Sequence, residues 1–148
     1  DDEVVGMVGV NDPQTETIMV VSENGYGKRS EVEDYRKTAR GAKGVKTLAV
    51  TEKTGRLVAI KVVTDENDLM IINKSGILIR LKVADVRVMG RATQGVRLIN
   101  LTKKNDTIAS VCKVMSSQEE NVEEAEVINE ELPESDAPLV DFDGPAEE

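Results

Sequence analysis

Residues 16–45 and residues 67–96 are two copies of one pattern, ETIMVVSENGYGKRSEVEDYRKTARGAKGV and NDLMIINKSGILIRLKVADVRVMGRATQGV. The alignment extends without a gap over residues 16–62 and 67–113 at an offset of 51, and 11 of its 47 positions are identical. Self-similarity at a fixed period of this length is typical of propellers and other repeat arrays. The sequence therefore predicts a chain built from stacked copies of one unit.

Each copy predicts short β-strands separated by turns. The run from Ile18 to Val21 is rich in β-branched residues and is followed by a Glu-Asn-Gly turn. In the second copy Ile77, Ile79 and Leu81 alternate with residues of the opposite face, as in a strand. No segment before residue 116 has the apolar period of 3.6 residues that a helix would need. The prediction is an all-β fold of propeller-like blades with about four strands each, and further strands are expected at 45–50, 57–63, 96–101 and 108–115.

The repeat also predicts the domain organisation. VVGMVGV at residues 4–10 resembles LVAIKVV at 57–63, which suggests the last strand of a preceding blade. Two blades and a part are too few to close a disc, so we expect exposed apolar surface on the N-terminal side or self-association through the open blade edge. The chain begins without Met and is expected to be part of a longer protein. The predicted units are a strand and linker at 1–15, blades at 16–66 and 67–115, and an acidic, disordered tail at 116–148.

Charge is distributed unevenly along the chain. The net charge is -9, but all 19 Lys and Arg lie between Lys28 and Lys113. Residues 16–115 hold 11 acidic residues and therefore carry +8, whereas residues 116–148 hold 13 acidic residues and no basic one. A basic body followed by an acidic tail favours a polyanionic partner.

The composition excludes several classes of site. The chain has no His, which removes the commonest general base and the commonest metal ligand. Its one cysteine, Cys112, cannot form an internal disulfide or a cysteine-type zinc site, so a reducing compartment fits best, and its apolar strand predicts burial. Tyr26 and Tyr35 align with Ile77 and Val86 and are expected to pack. We expect no catalytic residue, metal, cofactor or membrane span in this chain.

The first copy contains a turn with Gly25, the pair Lys28-Arg29, Tyr35-Arg36, and the loop Arg40-Gly41-x-x-Gly44, and several of these elements recur in register in the second copy. Together these motifs resemble the repeat unit of the C-terminal domain of the DNA gyrase A subunit. The resemblance covers residues 4–115 and implies a β-pinwheel, in which neighbouring blades exchange strands. Two features depart from the family: the Gln-Arg-Arg-Gly-Gly-Lys-Gly-like box is absent, and Ala92 replaces the glycine of the loop in the second copy.

The resemblance further implies a function. The family domain binds and wraps double-stranded DNA within a bacterial, ATP-dependent type II topoisomerase that introduces negative supercoils. The implied partners are duplex DNA, the rest of the gyrase A subunit and the gyrase B subunit in an A2B2 complex. The implied location is the cytoplasm, at the nucleoid. Neither the reaction nor a cofactor is expected to belong to this part of the protein.

The predicted DNA-binding residues are the cations that crowd the first copy and those at or near equivalent places in the second. Cations matched to phosphates release counterions, and the planar guanidinium of Arg can bridge phosphate oxygens. Few aromatic residues are present, which argues against single-strand binding. The set is Lys28, Arg29, Arg36, Lys37, Arg40, Lys43, Lys46, Arg80, Lys82, Arg87, Arg91 and Arg97.

Alternatives remain open at this stage. The related C-terminal domain of the topoisomerase IV subunit shares the pinwheel, and a protein-docking propeller without a nucleic-acid partner is a different class. The repeated arginines could instead stabilise the blade by pairing with Asp34 or Asp85. The tail could act as a solubilising segment or compete with DNA for the basic surface, and its patch at 139–142 could dock on the body.

Overall fold

The computed structural model describes residues 2–101 and 105–116, and these form strands, turns and loops without an α-helix. The strands build a four-stranded sheet in the order β3-β1-β2-β6 and a three-stranded sheet in the order β5-β4-β7. We call these sheets the first blade and the second blade. The predicted all-β class is confirmed. The elements are β1 (Thr17–Ser22), β2 (Tyr26–Glu31), β3 (Leu57–Val63), β4 (Asn67–Asn73), β5 (Leu78–Lys82), β6 (Val96–Arg97) and β7 (Ile108–Met115), with 3-10 turns at Val32–Asp34 and Val83–Asp85.

The two blades repeat the same antiparallel hairpin. At the offset of 51 residues, β1, β2 and β3 of the first copy are equivalent to β4, β5 and β7 of the second. In each group of three, the first strand, β1 or β4, lies between the other two. Met19 pairs with Arg29 in the first blade as Met70 pairs with Arg80 in the second. The hairpin turns contain Gly25 at φ 83° and Gly76 at φ 88°. Glycine adopts this left-handed conformation without a steric penalty, so the turn chemistry recurs with the strands.

One strand is exchanged between the blades. The short strand β6 comes from the second copy but pairs with β2 of the first blade, with Tyr26 opposite Arg97 and Gly27 opposite Val96. The equivalent residues of the first copy, 45–46, have no partner strand among the described residues, and the strand predicted at 45–50 is absent. Residues 2–10 likewise form no strand, which differs from the expectation for 1–15. Both differences have one cause: a strand needs a neighbour for its hydrogen bonds.

The core lies between the blades. Met19 and Val21 on one face of the first blade pack with Leu69 and Ile71 of the second in a single buried cluster. The opposite face of the first blade carries a second cluster of Ile18, Val20, Leu48 and Val62, against which Val8 and Tyr35 pack. The first blade is therefore covered on both faces, partly by its own loop 32–50.

Among residues 2–101 and 105–116, the second blade is covered on one face. Met70 is half-buried and Ile72 is 37% exposed, and both point away from the shared core. Cys112 lies opposite Met70 on β7 and is exposed. The prediction that Cys112 is buried was wrong, because its strand is apolar but its side chain faces the uncovered side.

Apolar side chains are also exposed near the start of the chain, as predicted. Val4 and Met7 are 93% and 94% exposed. Self-association through an open edge stays a prediction. The predicted tail lies outside the described residues except for Ser116, whose N–H donates to the Glu66 carbonyl over 2.9 Å. Among the residues that the structure describes, no helix has the length and apolar character to cross a membrane.

Candidate functional site

Lys28 lies at the junction of the two blades and is fully buried. Its Nζ donates to the carbonyls of Gly90, at 2.9 Å, and Arg91, and lies 3.5 Å from Thr93 Oγ1. Burial, followed by the positive charge of Arg91, lowers its pKa to about 8, and the carboxylate of Asp34 acts in the opposite direction. The predicted contact of Lys28 with DNA is therefore wrong: the side chain is directed into the protein and holds the loop 90–93.

Arg29 is also internal. Its guanidinium donates to the carbonyls of Val83 over 3.0 Å and Val86 over 3.3 Å, and its Nε donates to Thr17 Oγ1 over 3.1 Å. The remaining terminal nitrogen forms an ion pair with Asp65 at 2.8 Å. Because the residue is 5% exposed, its predicted role at a DNA surface is wrong as well. It joins the first blade to the 3-10 turn of the second.

Two further arginines of the predicted set have internal partners. Arg80, the equivalent of Arg29, forms an ion pair with Asp68 at 2.6 Å. Arg91 is half-buried and donates to the carbonyls of Asp34 over 3.1 Å and Lys46 over 2.6 Å. Arg91 therefore holds the loop of the first copy against the second through backbone carbonyls, and the alternative of pairing through the carboxylate of Asp34 is not what these bonds show.

The other predicted cations are exposed. Five of them follow the first 3-10 turn, on residues 35–46, which we call the basic loop. Within it the Arg36 guanidinium donates to the Lys43 carbonyl over 2.8 Å, which closes the loop on itself. The cations of the loop are exposed to solvent. Arg87, the equivalent of Arg36, is exposed in the second copy. Arg80 is exposed as well, beside its ion pair with Asp68, and the other exposed members of the predicted set are Arg36, Lys37, Arg40, Lys43, Lys46, Lys82, Arg87 and Arg97.

A second cationic feature surrounds Tyr26. Lys53 Nζ and Arg97 Cζ each lie 5.4 Å from the centroid of its ring, and Arg97 donates to its hydroxyl over 2.9 Å. The hydrogen bond from Arg97, then the charges of Arg97 and Lys53, lower the pKa of the Tyr26 phenol. These residues line an open cleft of about 310 Å³ with Asn100 and Asp106, among others. Sequence reasoning missed Lys53 and Tyr26 here, and the one signal for Lys53 was its identity with the equivalent residue of the second copy.

No group of three or more side chains suited to holding a metal occurs in residues 2–101 and 105–116. The arrangement offers cations on an exposed loop and in a cleft, both suited to an extended anion. The chain contains a 51-residue repeat, its second copy contributes a strand to the first blade, and cations lie on its surface. These features define it as part of a propeller-like β-array with a basic surface.

The comparisons with known proteins agree on the family. The model of the DNA gyrase C-terminal domain, beta-propeller, matches residues 16–64 and 67–112. The chain belongs to this family. It is 47% identical over 131 residues to the DNA gyrase A subunit of Staphylococcus aureus strain MRSA252, which is 88% of this chain and 15% of the relative. The relative of strain NCTC 8325 is 47% identical over 125 residues, or 84% and 14%. The chain thus spans only a small part of these relatives.

Solved structures show the same fold. A gyrase A C-terminal domain superposes with a TM-score of 0.63 at 27% identity, over 69% of this chain and 34% of that one. The C-terminal domain of DNA topoisomerase IV superposes with a TM-score of 0.65 at 22% identity, over 72% of this chain and 33% of that one. At this identity the likeness shows a shared fold alone. The resemblance to gyrase that the sequence motifs carried is confirmed.

Proposed function

We propose that this chain binds duplex DNA, as a DNA-wrapping part of a gyrase A subunit, through the exposed cations of the basic loop and through Lys82 and Arg87 of the second copy. The observation that carries the proposal is the outward position of all five basic-loop cations, while the buried Lys28 and Arg29 hold the blades together. Structural and DNA-facing cations are thus different residues of one repeat.

The chemistry of these cations fits a phosphate backbone. Each Lys or Arg placed against a phosphate releases condensed counterions, so affinity falls steeply with salt. Contacts of this kind position a protein on DNA but carry little sequence information. We therefore expect weak base preference, with the ease of bending the duplex deciding preferred sites.

The wider role follows from the relatives. In this proposal the parent is a type II topoisomerase that introduces negative supercoils, and this part bends duplex DNA around it. ATP hydrolysis and DNA cleavage take place in other parts, so this chain performs no catalysis and needs no cofactor. Its protein partners are the rest of the A subunit and the B subunit in an A2B2 complex, in the bacterial cytoplasm at the nucleoid.

A salt titration of duplex binding tests the DNA surface. The triple variant R36Q/R40Q/R87Q removes exposed cations from both copies without touching the junction. We expect its affinity to fall by at least about tenfold, and the slope of log K against log salt to shrink by roughly one unit per lost phosphate contact. The control is K74Q, an exposed cation of the β4–β5 turn. Equal binding by the triple variant and the control would reject the proposal.

A further inference from the structure

We propose that the cleft formed by Tyr26, Lys53 and Arg97 is a second phosphate-binding site, which takes phosphodiester groups of duplex DNA apart from the basic loop. The inference rests on the proposed function and extends it to residues outside that loop. Lys53 comes from the first copy and Arg97 from the second, so the site exists only where the two copies meet.

The turn that carries Lys53 is rigidly held. Thr54 is fully buried, and its Oγ1 accepts from the Thr51 N–H over 2.9 Å and donates to the Ala49 carbonyl over 3.1 Å. Asn24 Nδ2 lies 3.1 Å from the Glu52 carbonyl and 3.3 Å from the Lys53 carbonyl. A fixed backbone reduces the entropy lost when the side chain orders on a ligand.

Arg97 is positioned in the same way. Its backbone is held in β6 opposite Tyr26, and its terminal nitrogens donate to the Tyr26 hydroxyl over 2.9 Å and the Asn100 side chain over 3.3 Å. A guanidinium has five N–H donors, so these two bonds leave others for phosphate oxygens. The cation is pre-oriented and still able to bind.

A carboxylate in the cleft does not form an ion pair with these cations. Asp106 accepts instead from Asn73 Nδ2 over 2.8 Å, Ser75 Oγ over 2.8 Å and the Thr107 N–H over 3.0 Å. Its oxygens are therefore committed to the β4–β5 turn. The positive charges of Lys53 and Arg97 remain available to an anion.

The cleft lies at the opposite end of β2 from the start of the basic loop. Tyr26 is the first residue of β2, whereas the basic loop begins beyond the 3-10 turn that follows its last residue. At about 3.3 Å per residue, a six-residue strand separates the two ends by roughly 17–20 Å. Since Tyr26 is buried beside two cations, its ring is no stacking platform, so the site suits phosphates and not bases.

The test compares the double variant K53Q/R97Q with R56Q in the intact chain, by salt titration of duplex binding. Arg56 is an exposed cation three residues from Lys53 and outside the cleft. We expect the double variant to bind about tenfold more weakly and to lose roughly two units of salt slope, while R56Q keeps both values. The conservative pair K53R/R97K, which retains the charge, should restore most of the affinity.

A spectroscopic readout reports the cleft directly. The chain has two tyrosines and no tryptophan, so Y35F leaves Tyr26 as the one reporter. Duplex binding should change Tyr26 fluorescence and raise its phenol pKa, because a nearby phosphate disfavours the phenolate. If the duplex binds but neither signal moves and K53Q/R97Q behaves like R56Q, the cleft assignment is overturned while the proposed function stands. If the chain binds no duplex, the proposed function fails. If the Tyr26 signals change with inorganic phosphate but not with the duplex, duplex DNA is not the ligand of the cleft.

Discussion

At the scale of single residues, the basic side chains of the repeat fall into two groups, one buried within the protein and one exposed to solvent. Lys28 and Arg40 lie in the same basic run of the sequence, yet Lys28 is fully buried and Arg40 is exposed. A buried ammonium persists only where carbonyls replace its water, as those of Gly90 and Arg91 do. The place of the charge in the fold, on strand β2 for Lys28 and on the basic loop for Arg40, decides its role, and the residue type does not.

Replacing Lys28 should weaken the fold. In K28M the carbonyls of Gly90 and Arg91 lose their donor, so we expect the free energy of unfolding to fall by about 1–3 kcal/mol. Urea denaturation followed by circular dichroism measures it. K43M, at an exposed position, should stay within about 0.5 kcal/mol of the unchanged chain. Equal stabilities for the two variants would contradict the role of Lys28.

The same residue predicts a pH dependence. The folded pKa of Lys28 is about 8, below its ordinary value of 10.5, so the unfolded chain binds more protons between these values. Stability contributed at this site therefore rises as the pH increases from about 8 towards 10.5. Denaturation of the unchanged chain and K28M across this window should show the gap moving in favour of the unchanged chain. A gap independent of pH would refute the shift.

At the scale of elements, β6 of the second copy joins the two blades, because it pairs with β2 of the first blade. The approach of β6 to β2 is close: a Cβ added to Gly95 would lie 2.4 Å from the Gly27 carbonyl oxygen. A Cβ added to the equivalent Gly44 would meet nothing within 4 Å. Equivalent residues of the two copies therefore form a strand at 96–97, where the edge of β2 is available for pairing, and a loop at 45–46, where the described residues offer no strand to pair with.

Gly95 provides the test of this contact. Gly95 and Gly41 both have a positive φ, 78° and 74°, but a Cβ at Gly41 would meet nothing within 4 Å. G41A should cost roughly 1–2 kcal/mol through backbone strain alone. G95A adds a steric clash, and we expect a further loss of about 1–3 kcal/mol in the free energy of unfolding. Similar losses in both variants would show that β6 does not depend on the close approach.

At the scale of the whole molecule, the described part of the chain packs against only one face of the second blade. Met19 and Met70 are equivalent in the repeat, but Met19 is fully buried while Met70 is half-buried. M19A should lower the free energy of unfolding by about 2–5 kcal/mol, and M70A by clearly less. Thermal or urea denaturation of the two variants compares them directly. A larger loss in M70A would mean that its face is covered in solution.

The acidic tail belongs to the same scale. Its 13 acidic residues oppose the +8 of residues 16–115, so it competes with DNA for the exposed cations in our hypothesis. Duplex binding by residues 1–116 should be tighter than by residues 1–148, most clearly at low salt. Identical affinities at every salt concentration would favour a solubilising role.

The sequence by itself determined the repeat, its period, the all-β class, the glycine turns and the family, because these depend on local patterns that recur in register. Tertiary structure alone decided which cations face solvent. Lys28 and Arg29 read as surface charges, since nothing local shows that residues 83–93, more than fifty positions later, supply the carbonyls that bury them. It also decided that residues 96–97 form a strand and 45–46 do not, because pairing depends on a neighbour in space that the strand's own letters do not specify.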